Sequence, residues 1–180
     1  MTATMLVFES CGAASKRLLE QGYARVDTMS VFASKAPVQW EAPPGWEIGA
    51  TRSIETWADA YVRAFYGRED LATTVAPVLA RLSTAKDVTL LESRLKGETA
   101  GVLAIFRTPG IGGVFCVGTV PEYRRLGVAT GMLAKAIQMV EKEGSRLVLQ
   151  ALASEGSVDF YMRRGFEIMY SKQVLERKLK

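Results

Sequence analysis

The sequence predicts an α/β fold in which a mixed sheet is flanked by helices. Two observations lead to this class: 48% of the 180 residues are apolar, and strand-like segments alternate with amphipathic helical segments. The Pro-rich stretch at 35–47 is the best candidate for a boundary, which we place near 36–44. The sequence therefore predicts an N-terminal appendage with its linker over 1–42, and an α/β domain over 43–180.

The predicted domain opens with a strand and two helices. Ser53 is a candidate N-cap for the first helix, and Trp57, Tyr61 and Phe65 follow at helical spacing. We interpret these aromatic residues as core packing. Pro77 either kinks the second helix or divides it into two pieces. The elements up to this point and the three strands that follow are predicted at 46–52, 53–67, 69–83, 88–107 (a hairpin turning at 95–98) and 112–120.

A long helix at 124–143 is the predicted crossover between two neighbouring strands. Gly144 is its candidate C-cap. Its apolar stripe consists of Leu126, Met132, Leu133, Ile137 and Val140. A strand, a short helix and a final strand complete the domain at 146–152, 154–165 and 166–178.

The first 35 residues echo the last strand–helix–strand unit. The two segments line up when Gly22 is set against Gly165, and Leu18 then stands opposite Tyr161. We interpret the N-terminal segment as a degenerate half-repeat that serves packing or dimerisation. The alternative is an unrelated αβ appendage.

The stretch VGTVPEYRRLGVATG (117–131) is typical of an anion-binding helix start. A helix N-terminus offers unpaired N–H groups and positive potential. Arg124 and Arg125 add charge, while Gly127 and Ala129 allow an anion to approach the backbone. The chain has neither the dinucleotide fingerprint GxGxxG here nor the nucleotide loop GxxxxGK[ST]. The stretch therefore predicts a pyrophosphate-binding loop that belongs to neither of these two motif classes.

This loop resembles the acyl-CoA-binding loop of the GNAT superfamily of N-acyltransferases. That pattern, Arg/Gln-x-x-Gly-x-Gly/Ala, is matched by Arg124, Gly127 and Ala129. The later stretch FYMRRGFE is similar to the family's Tyr-x-x-x-Gly-Phe signature, and the matching residues are Tyr161, Gly165 and Phe166. The two motifs stand in the family's order.

The resemblance implies a central, mostly antiparallel twisted sheet with splayed parallel strands flanked by helices. It also implies that acetyl-CoA is the acyl donor, with pantetheine held by backbone groups of the strand before the loop. Ser154 stands where relatives often have an asparagine that contacts pantetheine. The implied cofactor-binding residues are Val117, Gly118, Thr119, Arg124, Arg125, Leu126, Gly127, Val128, Ala129, Thr130 and Ser154.

Acyl transfer to an amine needs a neutral amine, oxyanion stabilisation and a proton for the thiolate. The resemblance assigns the proton donor to Tyr161, and a backbone N–H at a bulge around Val117 suits the oxyanion. Many relatives carry a glutamate on the strand before the loop, where this chain has none. The general base is therefore left open among Glu92, Glu98, Glu155 and the carboxylate of Lys180, since Glu122 is expected to face solvent.

Other chemistries find little support. The chain has no histidine and no CxxC spacing, so we expect no metal site. Nothing beside Cys116 lowers its pKa, which argues against a nucleophilic thiol. The charge of +4 comes from dispersed residues, so no nucleic-acid partner is expected. We see no signal or membrane span and expect a cytoplasmic protein.

The leading hypothesis is an N-acetyltransferase that transfers acetyl from acetyl-CoA to a primary amine, by direct attack in a ternary complex. The acceptor is a small molecule or a peptide, and a homodimer is plausible because the N-terminal unit offers an edge strand. The alternative is a non-catalytic acyl-CoA-binding sensor or interaction module. The missing strand glutamate motivates it.

Overall fold

The computed structural model describes residues 2–35, 40, 44–67 and 69–178. They confirm the α/β class and form two compact units, one of residues 1–36 with 148–180 and one of residues 37–147. The strands are β1 (Thr2–Phe8), β2 (Ala24–Ser34), β3 (Trp46–Ala50), β4 (Val88–Leu95), β5 (Glu98–Thr108), β6 (Ile111–Thr119), β7 (Arg146–Leu152) and β8 (Phe166–Lys178). The α-helices are α1 (Gly12–Glu20), α2 (Ile54–Phe65), α3 (Ala72–Ser83), α4 (Val128–Lys142) and α5 (Val158–Met162).

In the unit of residues 37–147, β3, β4, β5 and β6 form an antiparallel meander in chain order. Neighbouring residues of β5 show how its two faces are covered. Val102 is fully buried in the cluster that contains Trp57 of α2. A Cβ at Gly101 would lie only 2.5 Å from the Val128 side chain of α4. Because side chains alternate along a strand, α2 and α4 cover opposite faces of the meander.

Helix α2 begins as the sequence predicts. The Ser53 hydroxyl accepts a hydrogen bond of 3.3 Å from the Thr56 amide, which confirms the N-cap. Trp57 is fully buried, and its indole N–H donates to the Leu91 carbonyl at 2.9 Å. Phe65 is 48% exposed, so the core-packing interpretation is right for Trp57 and wrong for Phe65. Phe65 at the exposed end of the helix is therefore available for contacts outside the core.

Helix α4 begins four residues later than predicted. Arg125 and Gly127 adopt φ of 66° and 88°, which no α-helix accommodates, so the helical turns start at Val128. Leu126 lies outside the helix and is 52% exposed, which corrects its place in the apolar stripe. The other stripe residues are fully buried: Met132, Leu133, Ile137 and Val140.

Helix α3 settles the question raised by Pro77. A short 3₁₀ turn over Glu69–Leu71 precedes a continuous helix, and Pro77 lies within that helix. The helix therefore continues through its proline.

In the other unit the strands stand in the order β1-β8-β2-β7, and the β1–β8, β8–β2 and β2–β7 pairs are antiparallel. If β1 is exchanged with β7 and β2 with β8, the strand order becomes β7-β2-β8-β1, which is the original order read backwards. When Gly22 is set against Gly165, Met29 falls at the position of Lys172, and these two residues pair directly. This pairing is compatible with a local two-fold relation. The half-repeat itself stays a prediction.

The predicted break near 36–44 and the domain boundary at 42 fall among residues outside the described ranges, apart from Trp40 and Pro44. The boundary therefore stays a prediction. Among the described residues, no helix is both long and apolar enough to cross a bilayer.

Candidate functional site

The loop before α4 presents an open helix start. Gly127 is the N-cap residue with φ 88°, a left-handed conformation that favours glycine, and no side chain caps the helix. The Gly131 amide makes the first i to i−4 bond, to the Gly127 carbonyl at 2.9 Å. The amides of Val128 and Ala129 precede that bond, so they lie in the turn whose N–H groups have no intrahelical acceptor. This geometry suits an anionic phosphate.

The two arginines of the loop lie in different environments. The Arg124 guanidinium donates to the Ala64 carbonyl at 3.1 Å and to the Thr119 carbonyl at 3.3 Å. It therefore ties the loop to the end of α2 and the end of β6. Arg125 is exposed and has positive φ, so its side chain leaves the loop toward solvent. Arg125 is thus the better placed of the two to meet an anion in solution.

Strand β6 carries a bulge just before this loop. Val102 pairs with Gly118 and Ala104 pairs with Phe115, so Cys116 and Val117 stand opposite a single residue of β5. Cys116 adopts φ 55°, which breaks the regular strand geometry. Such a bulge removes backbone groups from the ladder and makes their N–H donors available. A bulge therefore lies where the oxyanion donor was expected.

The Cys116 thiol is half-buried in this bulge. Its burial raises its pKa, because the low-polarity surroundings disfavour the thiolate. The thiol therefore stays protonated at neutral pH, in agreement with the expectation that it is not a nucleophile.

The last turn of α2 packs against the bulged strand. A Cβ at Gly118 would lie 2.7 Å from the Phe65 ring and 3.0 Å from the Ala64 Cβ, so only glycine permits this approach. Tyr61 stacks on Trp57, with ring centroids 5.6 Å apart, and tilts against Phe65 at 5.0 Å. The hydroxyls of Tyr61 and Tyr66 lie 3.4 Å apart. An aromatic surface with two phenol groups therefore lies beside the bulge.

The Tyr61 phenol is held in its neutral form. Burial raises its pKa most, and the Tyr66 hydroxyl and the neighbouring Cys116 thiol raise it further. Sequence reasoning missed this pair because it treated the aromatic stripe as packing. The available signal was a second tyrosine, Tyr66, directly after the predicted end of the stripe.

Tyr161 lies in the other unit, on the short helix α5. Its ring contacts Phe32, Phe160 and Phe166, with centroids 5.2–6.0 Å apart. Burial, and to a smaller extent Glu155, raises the pKa of its phenol. Tyr161 therefore stays protonated near neutral pH, as a proton donor must.

Ser154 is held by a carboxylate of the same unit. Its hydroxyl donates to Asp27, and its backbone amide donates to that carboxylate at 3.3 Å. The hydroxyl bond is the main reason that the pKa of Asp27 is lowered. The Ser154 side chain is therefore already engaged within its own unit.

The candidate bases are mostly committed to other contacts. Glu92 is 2% exposed and accepts from the Thr51 hydroxyl at 2.9 Å and the Arg52 amide at 3.2 Å, with Arg94 at 3.3 Å. The Tyr123 hydroxyl donates to Glu98. Glu122 is exposed, as expected, and pairs with Arg63 at 3.0 Å. Glu155 is exposed on a short 3₁₀ turn, and Lys180 lies outside the described residues.

Comparison with known proteins identifies the family. The sequence pattern of the acetyltransferase (GNAT) domain matches residues 58–179. N-alpha-acetyltransferase 50 from Danio rerio is 33% identical over 95 residues, which cover 43% of this chain and 56% of that protein. The chain thus spans little more than half the length of this relative.

Solved structures share the fold at low identity. A GCN5-related N-acetyltransferase from Sphaerobacter thermophilus superposes with a TM-score of 0.81 at 17% identity, covering 98% of this chain and 59% of that one. A second one, from Kribbella flavida, gives 0.73 at 19% identity and covers 99% and 68%. The domain match and these relatives agree with the two sequence motifs, and the chain belongs to the GNAT acetyltransferase family.

Proposed function

We propose that this chain is an acetyl-CoA-dependent N-acetyltransferase that acts on a primary amine of a small molecule or peptide, by direct attack in a ternary complex. The observation that carries the proposal is the open helix start at Gly127, directly after the bulged strand β6, in a member of this family. The open helix start suits the phosphates of the donor, and the bulged strand suits its thioester.

The donor's pyrophosphate is proposed to bind the backbone amides of residues 125–130, with the exposed Arg125 guanidinium close by. Arg124 supports this seat indirectly, because its side chain is bound to backbone carbonyls of β6 and α2. Leu126 and Val128 complete the loop, and Gly127 leaves its backbone accessible. Pantetheine is proposed to bind backbone groups of Val117, Gly118 and Thr119.

For the chemistry, we propose two groups of the chain in addition to the acceptor site. A backbone N–H at the β6 bulge stabilises the oxyanion. The Tyr161 hydroxyl donates a proton to the departing thiolate, an assignment that rests on the family resemblance and on the raised pKa of its phenol. The Ser154 hydroxyl already donates its hydrogen bond to Asp27, so Ser154 is proposed to contact pantetheine through its other groups.

The names of similar proteins support an amine as the class of acceptor. One relative is an N-alpha-acetyltransferase. A glucosamine N-acetyltransferase region of a fungal protein gives a TM-score of 0.65 at 17% identity. The second name describes a sugar amine, so the shared fold alone does not select the acceptor.

Calorimetry of the purified chain with acetyl-CoA tests the donor site. Gly127→Glu places a carboxylate in the phosphate seat and is expected to abolish binding. Gly144→Glu is the matched control, because Gly144 lies at the other end of α4 with a similar φ of 72° and open space around it. Equal binding by the parent and both variants contradicts the proposed donor site.

A panel of primary amines then separates enzyme from sensor. Acetyl transfer to any amine, followed by mass spectrometry, supports the proposed enzyme. Acetyl-CoA binding with no transfer across the panel supports the alternative, a non-catalytic acyl-CoA sensor, which is favoured by the absence of a carboxylate on β6.

A further inference from the structure

We infer that the hydroxyls of Tyr61 and Tyr66 form the polar end of the acceptor-amine site, and that Tyr61 relays the proton of the amine to solvent through Tyr66. This inference rests on the proposed N-acetyltransferase function and supplies the base that it lacks. Both tyrosines belong to the same unit as the β6 bulge.

The first step of the argument is position. Gly118 brings the last turn of α2 against β6, one residue beyond the bulge. Tyr61 and Cys116 pack against the same buried cluster, which contains Trp57 and Val102. The Tyr61 phenol therefore lies beside the backbone that is proposed to receive the thioester carbonyl.

The second step is the shape of the surface. Tyr66 and Phe65 are 55% and 48% exposed at the end of α2, while Tyr61 is half-buried behind them. Their rings form one connected cluster, with Tyr61 at 5.0 Å from Phe65 and 5.9 Å from Tyr66. Aromatic faces attract an ammonium group and pack against apolar carbon. The surface thus favours a primary amine next to an apolar group.

The third step is the route of the proton. The ammonium gives one proton to the Tyr61 oxygen as the Tyr61 hydroxyl gives its own to Tyr66, and Tyr66 gives one to water. Both phenols end as they began, and the amine is left with the lone pair that attacks the thioester carbonyl. The hydroxyl oxygens lie 3.4 Å apart, a long hydrogen bond that must shorten by a few tenths of an ångström for the middle transfer.

The surroundings of Tyr61 favour this relay over simple ionisation. The titratable groups that act on it are the Tyr66 phenol at the C-cap of α2 and the Cys116 thiol on β6, and the Tyr123 phenol packs against the same buried cluster. The charged residues nearby pair with one another: Arg63 with Asp59 at 3.5 Å and with Glu122 at 3.0 Å. The cluster residues from β5 and α3 are apolar: Val102, Ala104, Phe106, Val75, Ala76, Leu79 and Leu82. Tyr61 therefore stays neutral, and it can accept a proton only while it donates its own.

The test measures kcat/KM for 2-phenylethylamine, a primary amine next to an apolar ring, at pH 7 and pH 9.5. An alkylamine with a pKa of about 10.4 is about 300-fold more abundant in its neutral form at the higher pH. We expect Tyr61→Phe to lower kcat/KM about thirtyfold at pH 7 and less than about threefold at pH 9.5. Tyr66→Phe should show the same pH dependence, and the acetyl-CoA Kd from calorimetry should stay unchanged.

Tyr170→Phe is the matched control, because Tyr170 is an exposed tyrosine of β8 whose ring is tilted against that of Phe8. This variant should have the same kcat/KM as the parent at both pH values. If the parent transfers acetyl but Tyr61→Phe lowers kcat/KM by the same factor at both pH values, or does not lower it at pH 7, the relay is overturned. If the parent transfers acetyl to no amine at either pH, the proposed function fails and the relay fails with it.

Discussion

The Arg124 guanidinium donates a hydrogen bond of 3.1 Å to the carbonyl of Ala64, which lies sixty residues earlier at the end of α2. This contact stabilises the loop that leads into α4 and satisfies a carbonyl of the last helical turn, which lacks an intrahelical donor. The first arginine of the loop motif therefore has a structural contact before any ligand binds.

The two loop arginines should respond differently to replacement by alanine. Arg124→Ala removes two hydrogen bonds to backbone carbonyls, so we expect a loss of about 1–2 kcal/mol and a Tm lower by about 3–8 °C. Arg125→Ala should leave Tm within about 1 °C, because its side chain is exposed. It should raise the acetyl-CoA Kd about tenfold at low salt, and less at high salt. Scanning calorimetry and titrations at two salt concentrations measure both effects; a reversed pattern contradicts these assignments.

Glu92 is expected to be a structural carboxylate. It is buried, and its oxygens accept from Thr51 and the Arg52 amide and pair with Arg94. Glu92→Gln places an NH₂ against one of these donors and should cost about 2–4 kcal/mol, or about 5–15 °C in Tm. The exposed Glu155→Gln should change Tm by less than about 2 °C.

Activity at a temperature where the variant is folded separates structure from catalysis. At about 15 °C, Glu92→Gln should retain kcat within about threefold of the parent. An unchanged Tm with a hundredfold loss of kcat instead identifies Glu92 as the base.

Asp27 and Ser154 couple stability to pH. The Ser154 hydroxyl lowers the pKa of Asp27 below its ordinary value of 3.8. A carboxyl whose pKa is lowered on folding stabilises the protein above the unfolded pKa, and this contribution is lost as pH falls through the folded pKa. Ser154→Ala should therefore be less stable than the parent at pH 7, and the difference should shrink below about pH 4.

Urea unfolding at several pH values measures this difference. Asp27→Asn is the second variant, and it should remove the same pH-dependent component. A difference between parent and Ser154→Ala that stays constant from pH 7 to pH 3 contradicts the coupling.

Much of the fold could be predicted because its signals are local. The Ser53 cap, the β4–β5–β6 meander and the buried face of α4 follow from side-chain period and turn residues. The true start of α4 could not, because it depends on the left-handed conformations of Arg125 and Gly127, and an arginine gives no sequence signal for one.

The site divides in the same way. Its proposed phosphate loop is one continuous stretch of sequence, so pattern and family resemblance are enough to predict it. The Tyr61–Tyr66 pair depends on where α2 ends and on how closely Gly118 lets it approach β6. These are tertiary distances that no local pattern contains. The contacts of Glu92 with Thr51 and Arg52 likewise join residues about forty positions apart.

The contact between Gly131 and Trp40 gives the last prediction. A Cβ at Gly131 would lie 2.5 Å from the Trp40 ring, so Gly131→Ala must displace the indole from the first turns of α4. Alanine is favoured over glycine inside a helix by about 1 kcal/mol. Loss of the half-buried indole contact should cost about 1.5–3 kcal/mol, so the net effect is a destabilisation of about 1 kcal/mol.

A double-mutant cycle shows which of the two contributions operates. In a Trp40→Ala background the clash is gone, so Gly131→Ala should stabilise the protein by about 1 kcal/mol, the opposite sign from the effect in the parent. Urea unfolding measures the free energy for all four proteins. The fluorescence of the Gly131→Ala variant should also shift to the red, since Trp40 is one of three tryptophans and becomes more exposed. The same sign in both backgrounds contradicts the contact.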